Sequence, residues 1–506
     1  MDDRIWDLLI VGGGINGVGI ARDAVGRGLS ALVVEQDDLA AHTSSASTKL
    51  IHGGLRYLEH FEFRLVGEAL AEREVLLAIA PHLVEPLRFV LPHEAHLRPK
   101  WMIRAGLFLY DHLGGRQTLP RSGAVTLDAG GYGAGLKPSF RSGFVYSDAR
   151  VDDARLVVAN AIDARARGAD IRTRTCFASA RNVDGVWHAS LAPRDGGTTE
   201  ARARCLVNAA GPWVASVLGD VEGARAEAGV RHVKGSHIVV PRVHSADHAY
   251  ILQNADRRIV FVIPYQDRYS LIGTTDIPVD SCMAPPIDSA ETDYLLAIAN
   301  AYLARPLASS DVVWTYSGVR PLYDDGASDP SAVTRDYVLK TETVVGSDRG
   351  TPRAASRPAV PLLSIYGGKI TTYRKLAEHA LGELARFLPG MGPAWTSGAS
   401  LPGGDLPHGD RAAWLAELVR RYPKLDPAVL RGIARRHGTR ATAMLGDAKR
   451  AADLGEDFGA GLTECEIAWL VAEEWAHDAD DVLWRRTKCG LPMTAAQRQR
   501  VAQRLA

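Results

Sequence analysis

The chain has 506 residues, 46% hydrophobic and 23% charged, a globular composition with material for two or three domains. Lysine plus arginine equals aspartate plus glutamate at 59 each, so net charge argues for neither a nucleic-acid partner nor an acidic tail, and any anion site has to be local. The five cysteines are scattered without a CxxC pair, which speaks against a disulfide framework or a metal site and fits a reducing, intracellular setting.

The first elements lie in DLLIVGGGINGVGIARDAVGRGLSALVVEQ, residues 7–36. The acidic start and short apolar run give no sign of a secretory leader, and no run approaches the ~20 apolar residues of a membrane-spanning helix. Residues 8–11 read as a strand buried on both faces, 14–26 as a short helix and 31–34 as a second strand. Gly12, Gly14 and Gly17 stand in GxGxxG spacing at the first turn. They allow, in order, a tight turn, the approach of a pyrophosphate, and close helix–strand packing. The helix N-terminus offers N–H groups and a positive dipole end to phosphates. Glu35, 18 residues after Gly17, is placed to accept the hydroxyls of an adenosine ribose.

Next comes LAAHTSSASTKLIHGGLRYLEH, rich in small hydroxyl residues (Thr43, Ser44, Ser45, Ser47, Thr48) and carrying the pair Gly53–Gly54. Such a lining suits a long extended cofactor, FAD rather than NAD alone. Residues 96–115 interleave Arg98, Lys100 and Arg104 with Trp101, Met102, Ile103, Leu107, Phe108, Leu109 and Tyr110. This pattern fits an interfacial helix on anionic lipid and equally a helix packed in the core. Residues 205–213 read as a strand followed by Ala209, Ala210 and Gly211, either close to the nucleotide or an ordinary strand-to-helix turn. Residues 231–276 alternate as an antiparallel sheet, suited to cover a reactive face and exclude water. Residues 342–361 read as a polar surface loop. A strand at 362–366 then runs into Gly367, Gly368 and Lys369, with a helix capped by Thr371 or Thr372. After a Gly/Pro linker at 397–410 the rest reads as amphipathic helices, with Arg435, Arg436 and His437 as a solvated basic face.

Three cations in glycine-bearing contexts suit a phosphorylated substrate: Arg56 in GGLRY, Arg320 in SGVRPL and Lys369 in GGK. Oxidising an alcohol also needs a proton acceptor, and histidine suits that role near neutral pH. Of 16 histidines, His237 in KGSHIVV is preferred, with His232 as competitor and His52 more suited to support the cofactor loop. Asp276 in IGTTD either orients a histidine or caps a turn, the turn being favoured.

The strings VGGGINGVGIARDAVGRG, TSSASTKLIHGGLRYLEHFEFRLV, KGSHIVVPRV, FVIPY, IGTTD, WTYSGVRPL and YGGKITTYRKLAEHAL, in this order, resemble the FAD-dependent glycerol-3-phosphate dehydrogenases of the aerobic bacterial and mitochondrial type. The resemblance covers nearly the whole chain. It implies oxidation of sn-glycerol 3-phosphate to dihydroxyacetone phosphate, with electrons passing through FAD to ubiquinone or menaquinone. It implies an α/β fold: a Rossmann-type FAD-binding domain of the glutathione-reductase and D-amino-acid-oxidase kind, an antiparallel β-sheet substrate cap and an α-helical C-terminal domain. The expected boundaries are 1–90, 145–215 and 355–390 for the FAD domain, 91–144 and 216–354 for the cap, and 391–506 for the helical domain. The resemblance assigns Arg56 and Arg320 to the substrate site, sets Lys369 near cofactor and substrate, and matches a histidine at His237; Tyr57 adds a hydroxyl or a wall. The cofactor is expected along Gly12, Gly14, Asn16, Gly17, Glu35, Thr43, Ser44, Ser45, Ser47, Lys49, His52, Gly53, Gly54, Ala210, Gly211, Gly368, Lys369, Ile370 and Thr371. Peripheral attachment to the inner face of the cytoplasmic membrane follows from the quinone; a homodimer stays open, and no metal is expected. Two other readings stay open: an oxidase that gives its electrons to oxygen and releases peroxide, and a flavin-bound regulator without turnover.

Overall fold

The computed structural model describes residues 4–506 apart from 95–98, 116–117, 226–228, 255, 257, 325–335 and 347–357, and apart from the Arg56 and His60 side chains. The apolar N-terminal run forms the strand Ile5–Val11, whose alternate residues enter two cores: Leu8 and Ile10 on one side, Trp6, Leu9 and Val11 on the other. Burial on both faces goes with parallel pairing, and the strand lies between Thr199–Asn208 and Ala31–Val34, parallel to both. Ala359–Tyr366 and Asp170–Arg172 extend the parallel set on either side. The helices Ile15–Gly26, Asp153–Ala166 and Tyr373–Leu384 cover one face through Val18, Leu156 and Leu376. A hairpin, Thr175–Val183 with Val186–Pro193, covers the other through Phe177 and Trp187.

A second sheet runs Ile277–Val279, Gly229–Pro241, Tyr269–Gly273, Ile259–Tyr265, His248–Gln253, Val84–Pro92, Ser142–Val151 and Leu50–Ile51. Trp314–Asp324 pairs along Gly229–Pro241, and Gly123–Thr126 along Ser142–Val151. Every pairing is antiparallel except His248–Gln253 with Val84–Pro92. Ile238 and Val240 face the helix Ser289–Tyr302, while Val239 faces Phe261, Leu107 and Tyr110. His237 shares the face of Val239, because strand residues alternate.

These pairings move the expected boundaries. Val84–Pro92 and Ser142–Val151 run across the limits at 90 and 145 and pair with each other in the second sheet. Val338–Val345, expected in the cap, pairs antiparallel with Ala359–Tyr366 and closes the edge of the first sheet. The two ends of the expected loop 342–361, residues 342–345 and 359–361, are therefore paired strand, with Val344 and Val360 buried opposite each other; residues 347–357 lie outside the described residues.

The C-terminal helices Arg411–Arg421, Pro427–His437, Glu464–Glu474 and Ala495–Leu505 each begin at a side-chain cap, from Asp410, Asp426, Thr463 and Thr494. Segment 397–410 is packed rather than free: Leu401 and Leu406 are buried, and the Leu401 N–H donates to the Ile79 carbonyl at 2.8 Å. Arg436 and His437 overturn the solvated-face reading. Both are buried on Glu466, Arg436 through a bidentate pair at 2.6 Å and His437 at 2.9 Å. The amphipathic spacing was right, but two of the three basic side chains point inward, where a carboxylate from another helix neutralises them.

The helix Lys100–Leu113 has one packed face and one exposed apolar face. Leu107 and Tyr110 are buried against the second sheet, whereas Trp101 is 70% and Phe108 54% exposed, beside exposed Met102 and Leu109. Arg98 lies outside the described residues. Among the described residues, no helix is long and apolar enough to cross a membrane.

Candidate active site

The glycine turn is built by close backbone approach. Gly12 adopts φ +115°, and a Cβ there would lie 2.5 Å from the Ala209 carbonyl oxygen. A Cβ at Gly17 would overlap the Gly12 carbonyl. One at Gly14, the residue before the helix, would reach Ser44 Oγ at 3.0 Å. The Glu35 carboxylate accepts the Gly13 N–H at 2.7 Å and the Asp37 N–H at 2.9 Å, which ties the 35–40 loop to the turn. Opposite the helix start, the Asn16 amide donates to the Gly367 carbonyl at 3.2 Å, and its Oδ1 is buried without a partner among the described residues. The first helix thus joins the early glycine turn to the late Gly367–Gly368 turn, 351 residues downstream.

The hydroxyl-rich segment divides its work differently from the expected lining. Only the Ser44 hydroxyl reaches the turn, accepting the Ile15 N–H at 3.0 Å. Thr43 donates to the Val319 carbonyl at 2.6 Å, Ser45 to His42 within its own turn, and Ser47 to Asp153 at 2.7 Å. Lys49 is buried with its ammonium 2.8 Å from both Asp153 oxygens and 2.9 Å from the Ser45 carbonyl. It locks the segment in place through a buried ion pair, so its charge is already matched. The Gly53 N–H donates to the Tyr110 hydroxyl at 2.8 Å, which donates in turn to Asp148, itself paired with Arg73. Burial lifts the Asp148 carboxyl to about 6 against the pull of Arg73.

His237, 2% exposed, lies in a slot between two strands. It stands in register with Gly273 on one side and Tyr316 on the other. The Tyr316 ring stacks on it at 4.8 Å and 14°, and a Cβ at Gly273 would overlap the imidazole. Nε2 lies 3.0 Å from the Thr48 hydroxyl, and Nδ1 is buried without a partner among the described residues. Burial, with the charges of Lys49 and Arg320, holds its pKa well below the usual 6.5. His52, whose ring is 6.4 Å from Phe261, is depressed to about 4 by burial and by Lys369. Phe261 is paired opposite Gly273, which brings the two histidines to one part of the sheet.

The cations are held unequally. Arg320, opposite Val233 on the face of His237, is 48% exposed and reaches Asp276 at 3.0 Å. Asp276 therefore partners the arginine, neither a histidine nor a turn. The Lys369 ammonium lies 4.0 Å over the Tyr57 ring, buried and without a hydrogen bond among the described residues. Arg56 follows Gly54, which adopts φ +75°, on the turn Leu55–His60; its side chain lies outside the described residues. His232 turns away to the Pro212 carbonyl at 3.0 Å. Thr372 precedes the helix Tyr373–Leu384 without a side-chain capping bond, and the Thr371 hydroxyl is turned to the His52 N–H, which it accepts at 3.3 Å. Tyr316 and Gly273 were not singled out, and strand register brings them to His237; Thr48, read as part of the cofactor lining, reaches it from the segment before Leu50–Ile51.

A model of the FAD dependent oxidoreductases matches residues 7–343, and one of the C-terminal domain of alpha-glycerophosphate oxidase matches 394–506. The chain belongs to the FAD-dependent oxidoreductases. A glycerol-3-phosphate dehydrogenase of Pseudomonas aeruginosa is 54% identical over 99% of this chain and 95% of its own length. A D-erythritol 1-phosphate dehydrogenase of Brucella abortus is 47% identical, covering 97% and 96%. The crystal structure of the glycerol-3-phosphate dehydrogenase from Bacillus halodurans complexed with FAD superposes with a TM-score of 0.74 at 26% identity, over 100% of this chain and 94% of that one.

The oxidoreductase has what FAD requires. The turn at Gly12–Gly17 has no room for side chains and presents the N–H groups of a helix start, as a pyrophosphate needs. Glu35 is buried at the end of the second strand, and the orphaned Asn16 Oδ1 and Lys369 Nζ lie at the other glycine turn. Ala210 and Gly211 follow the strand that crosses the first turn, with Gly211 at φ +57° opening the short helical turn Gly211–Trp213. Gly368, at φ +106°, has room for a Cβ only 2.9 Å from the Asn16 amide.

Proposed function

We propose that the protein oxidises sn-glycerol 3-phosphate at C2 to dihydroxyacetone phosphate and passes the electron pair to a membrane quinone. His237 carries this reading: a buried, neutral imidazole with an unpartnered nitrogen, beside cations suited to a phosphate dianion. FAD, when bound, supplies the two-electron acceptor for the hydrogen on C2. Gly12, Gly14 and Gly17 would hold its pyrophosphate, Glu35 its ribose, and Gly368, Lys369, Ile370 and Thr371 its ring end.

Arg320 meets its two partners through Nη2, which leaves Nη1 and Nε for phosphate oxygens. Lys369 adds a point charge, and we assign Arg56 and Tyr57 to the same phosphate. With Nε2 donating to Thr48, Nδ1 keeps its lone pair and accepts the C2 hydroxyl proton. Lys49 and Arg320 disfavour the imidazolium, so the base is neutral before the substrate arrives and gives its proton up readily afterwards. The aromatic face of Lys100–Leu113, flanked by Lys100 and Arg104, is the surface we assign to the bilayer.

An anaerobic titration with sn-glycerol 3-phosphate should bleach the flavin stoichiometrically; yellow protein that stays yellow defeats the reading and favours a flavin-bound regulator. Ubiquinone-analogue reduction should exceed peroxide release, whereas stoichiometric peroxide would make the protein an oxidase. The Brucella relative supports a second substrate, D-erythritol 1-phosphate, and the ratio of the two kcat/KM values decides between them. Arg320→Ala should raise KM for the phosphate ester about ten- to a hundredfold, the loss of one charged contact, and leave FAD bound.

A further inference from the structure

The C-terminal domain lies apart from the chemistry in sequence, yet one segment of it reaches both ends of the site. The wide helical turn Asp481–Arg486 and the residues to 491 read DVLWRRTKCGL. At one end, Arg486 grips Asp38 through two bonds of 2.6 and 2.7 Å, and Arg485 adds a third at 2.6 Å. Both Asp38 and Arg486 are buried. Asp38 sits in the 35–40 loop, which is fastened to the glycine turn by Glu35 on the Gly13 N–H and by the Ala40 N–H on the Gly13 carbonyl at 3.3 Å. Asp481 holds Arg174 at 2.8 Å, and the Arg174 N–H donates to the Asp37 carbonyl at 2.8 Å.

At the other end, Trp484 stacks on Trp314 at 5.0 Å and 14°. Trp314 meets Tyr316 at 5.1 Å, and Tyr316 stacks on His237. The Tyr316 hydroxyl donates to the Ser47 carbonyl at 2.8 Å, so the same ring also braces the hydroxyl-rich segment. A Cβ at Gly490 would come within 2.9 Å of the Trp484 ring, which fixes where the chain folds back behind it. Lys488, buried in the same turn, lies 3.8 Å from Asp152, next to the Asp153 that anchors Lys49.

We infer that the segment 481–491 is a positioning element of the active site, in which Arg486 sets the ribose loop through Asp38 and Trp484 sets His237 through Trp314 and Tyr316. The inference rests on the proposed reaction for its catalytic arm. Neither residue touches the reacting atoms; Arg486 acts through buried Asp38, and Trp484 through the half-buried Trp314 that it stacks on. The charged groups acting on His237 are Lys49 and Arg320, with Thr48 and Tyr316 as its direct contacts. None of these is altered in the variants below.

The test uses full-length holoenzyme. Trp484→Leu should slow anaerobic bleaching by sn-glycerol 3-phosphate about tenfold at saturating flavin and raise the acid limb of kcat/KM toward 6.5, because a less tightly packed imidazole is better hydrated. Trp484→Phe should restore most of the rate, and Trp314→Leu, which cuts the same stack from the cap side, should move the limb in the same direction. A Trp484→Leu enzyme with wild-type bleaching and limb overturns the catalytic arm; if wild type itself is not bleached, the substrate reading fails instead. Arg486→Met should release flavin from the holoenzyme at least tenfold faster on dilution, read by flavin fluorescence. Should that variant not fold with Asp38 held by Arg485 alone, Asp38→Asn/Arg486→Met serves in its place, and flavin release at the wild-type rate from it overturns the ribose arm.

Discussion

The nucleotide turn and the His237 slot solve opposite problems. The turn is made almost entirely of backbone, and its glycines are required because carbonyl groups of the same sheet pass too close for any side chain. The slot is made of side chains from segments far apart in sequence, and it leaves His237 Nδ1 without a partner among the described residues. One binds by shape; the other holds desolvated groups ready for a charge that arrives with the substrate. Damage to the first should empty the protein of flavin, and damage to the second should leave yellow protein that turns over poorly.

The sharpest way to separate them is His237→Asn, which should lower kcat by roughly 10²- to 10⁴-fold with flavin content unchanged, checked by steady-state kinetics beside the visible spectrum. Loss of flavin in this variant would merge the two regions into one. Gly17→Val should do the reverse and weaken flavin binding about a hundredfold, roughly 3 kcal/mol of overpacking, measured by flavin fluorescence on dilution.

A milder probe is pH. His237 and His52 are both depressed, His52 to about 4, whereas an unfolded histidine takes up its proton near 6.5. Above 6.5 both states are neutral and stability is flat. Below it the unfolded chain binds protons that the folded chain refuses, so stability falls progressively from 6.5 toward 4. Thermal melts from pH 8 to 5 should therefore hold their Tm until about 6.5 and then decline, while kcat, read with the phosphate ester already bound, keeps its plateau below 6.5. A kcat limb at 6.5 or above would mean that the base is hydrated and is not the His237 of this slot. The smallest effect on the fold is expected at the exposed aromatic face. Trp101→Ala/Phe108→Ala should change unfolding stability by no more than about 0.5 kcal/mol, yet lower cosedimentation with anionic vesicles several-fold.

How much of this was legible in sequence follows the same division. The glycine turn, its flanking strands and helix, and the strands within 231–276 could be read because local spacing carries them: a period of two, a period of 3.6, and glycines where the backbone must crowd. His237, Arg320 and Lys369 were named in advance, but their surroundings were not. Tyr316 faces His237 only through a register set 79 residues away, and Thr48 reaches it from 189 residues away. Charge misled in the same manner: Arg436 and His437 look like a surface cluster until Glu466 is brought to them. Local rules report what a segment can do, and long-range pairing decides which of its groups are still available.

The slot around His237 has a further consequence for motion. With Tyr316 stacked on one face and no space for even a methyl group at Gly273, the imidazole cannot turn over within its cavity. Its tautomers still exchange by proton transfer, with Thr48 beside Nε2, but the positions of the two nitrogens stay fixed. The ring has little conformational entropy left to lose when substrate arrives, so each turnover starts from the same orientation of the same nitrogen.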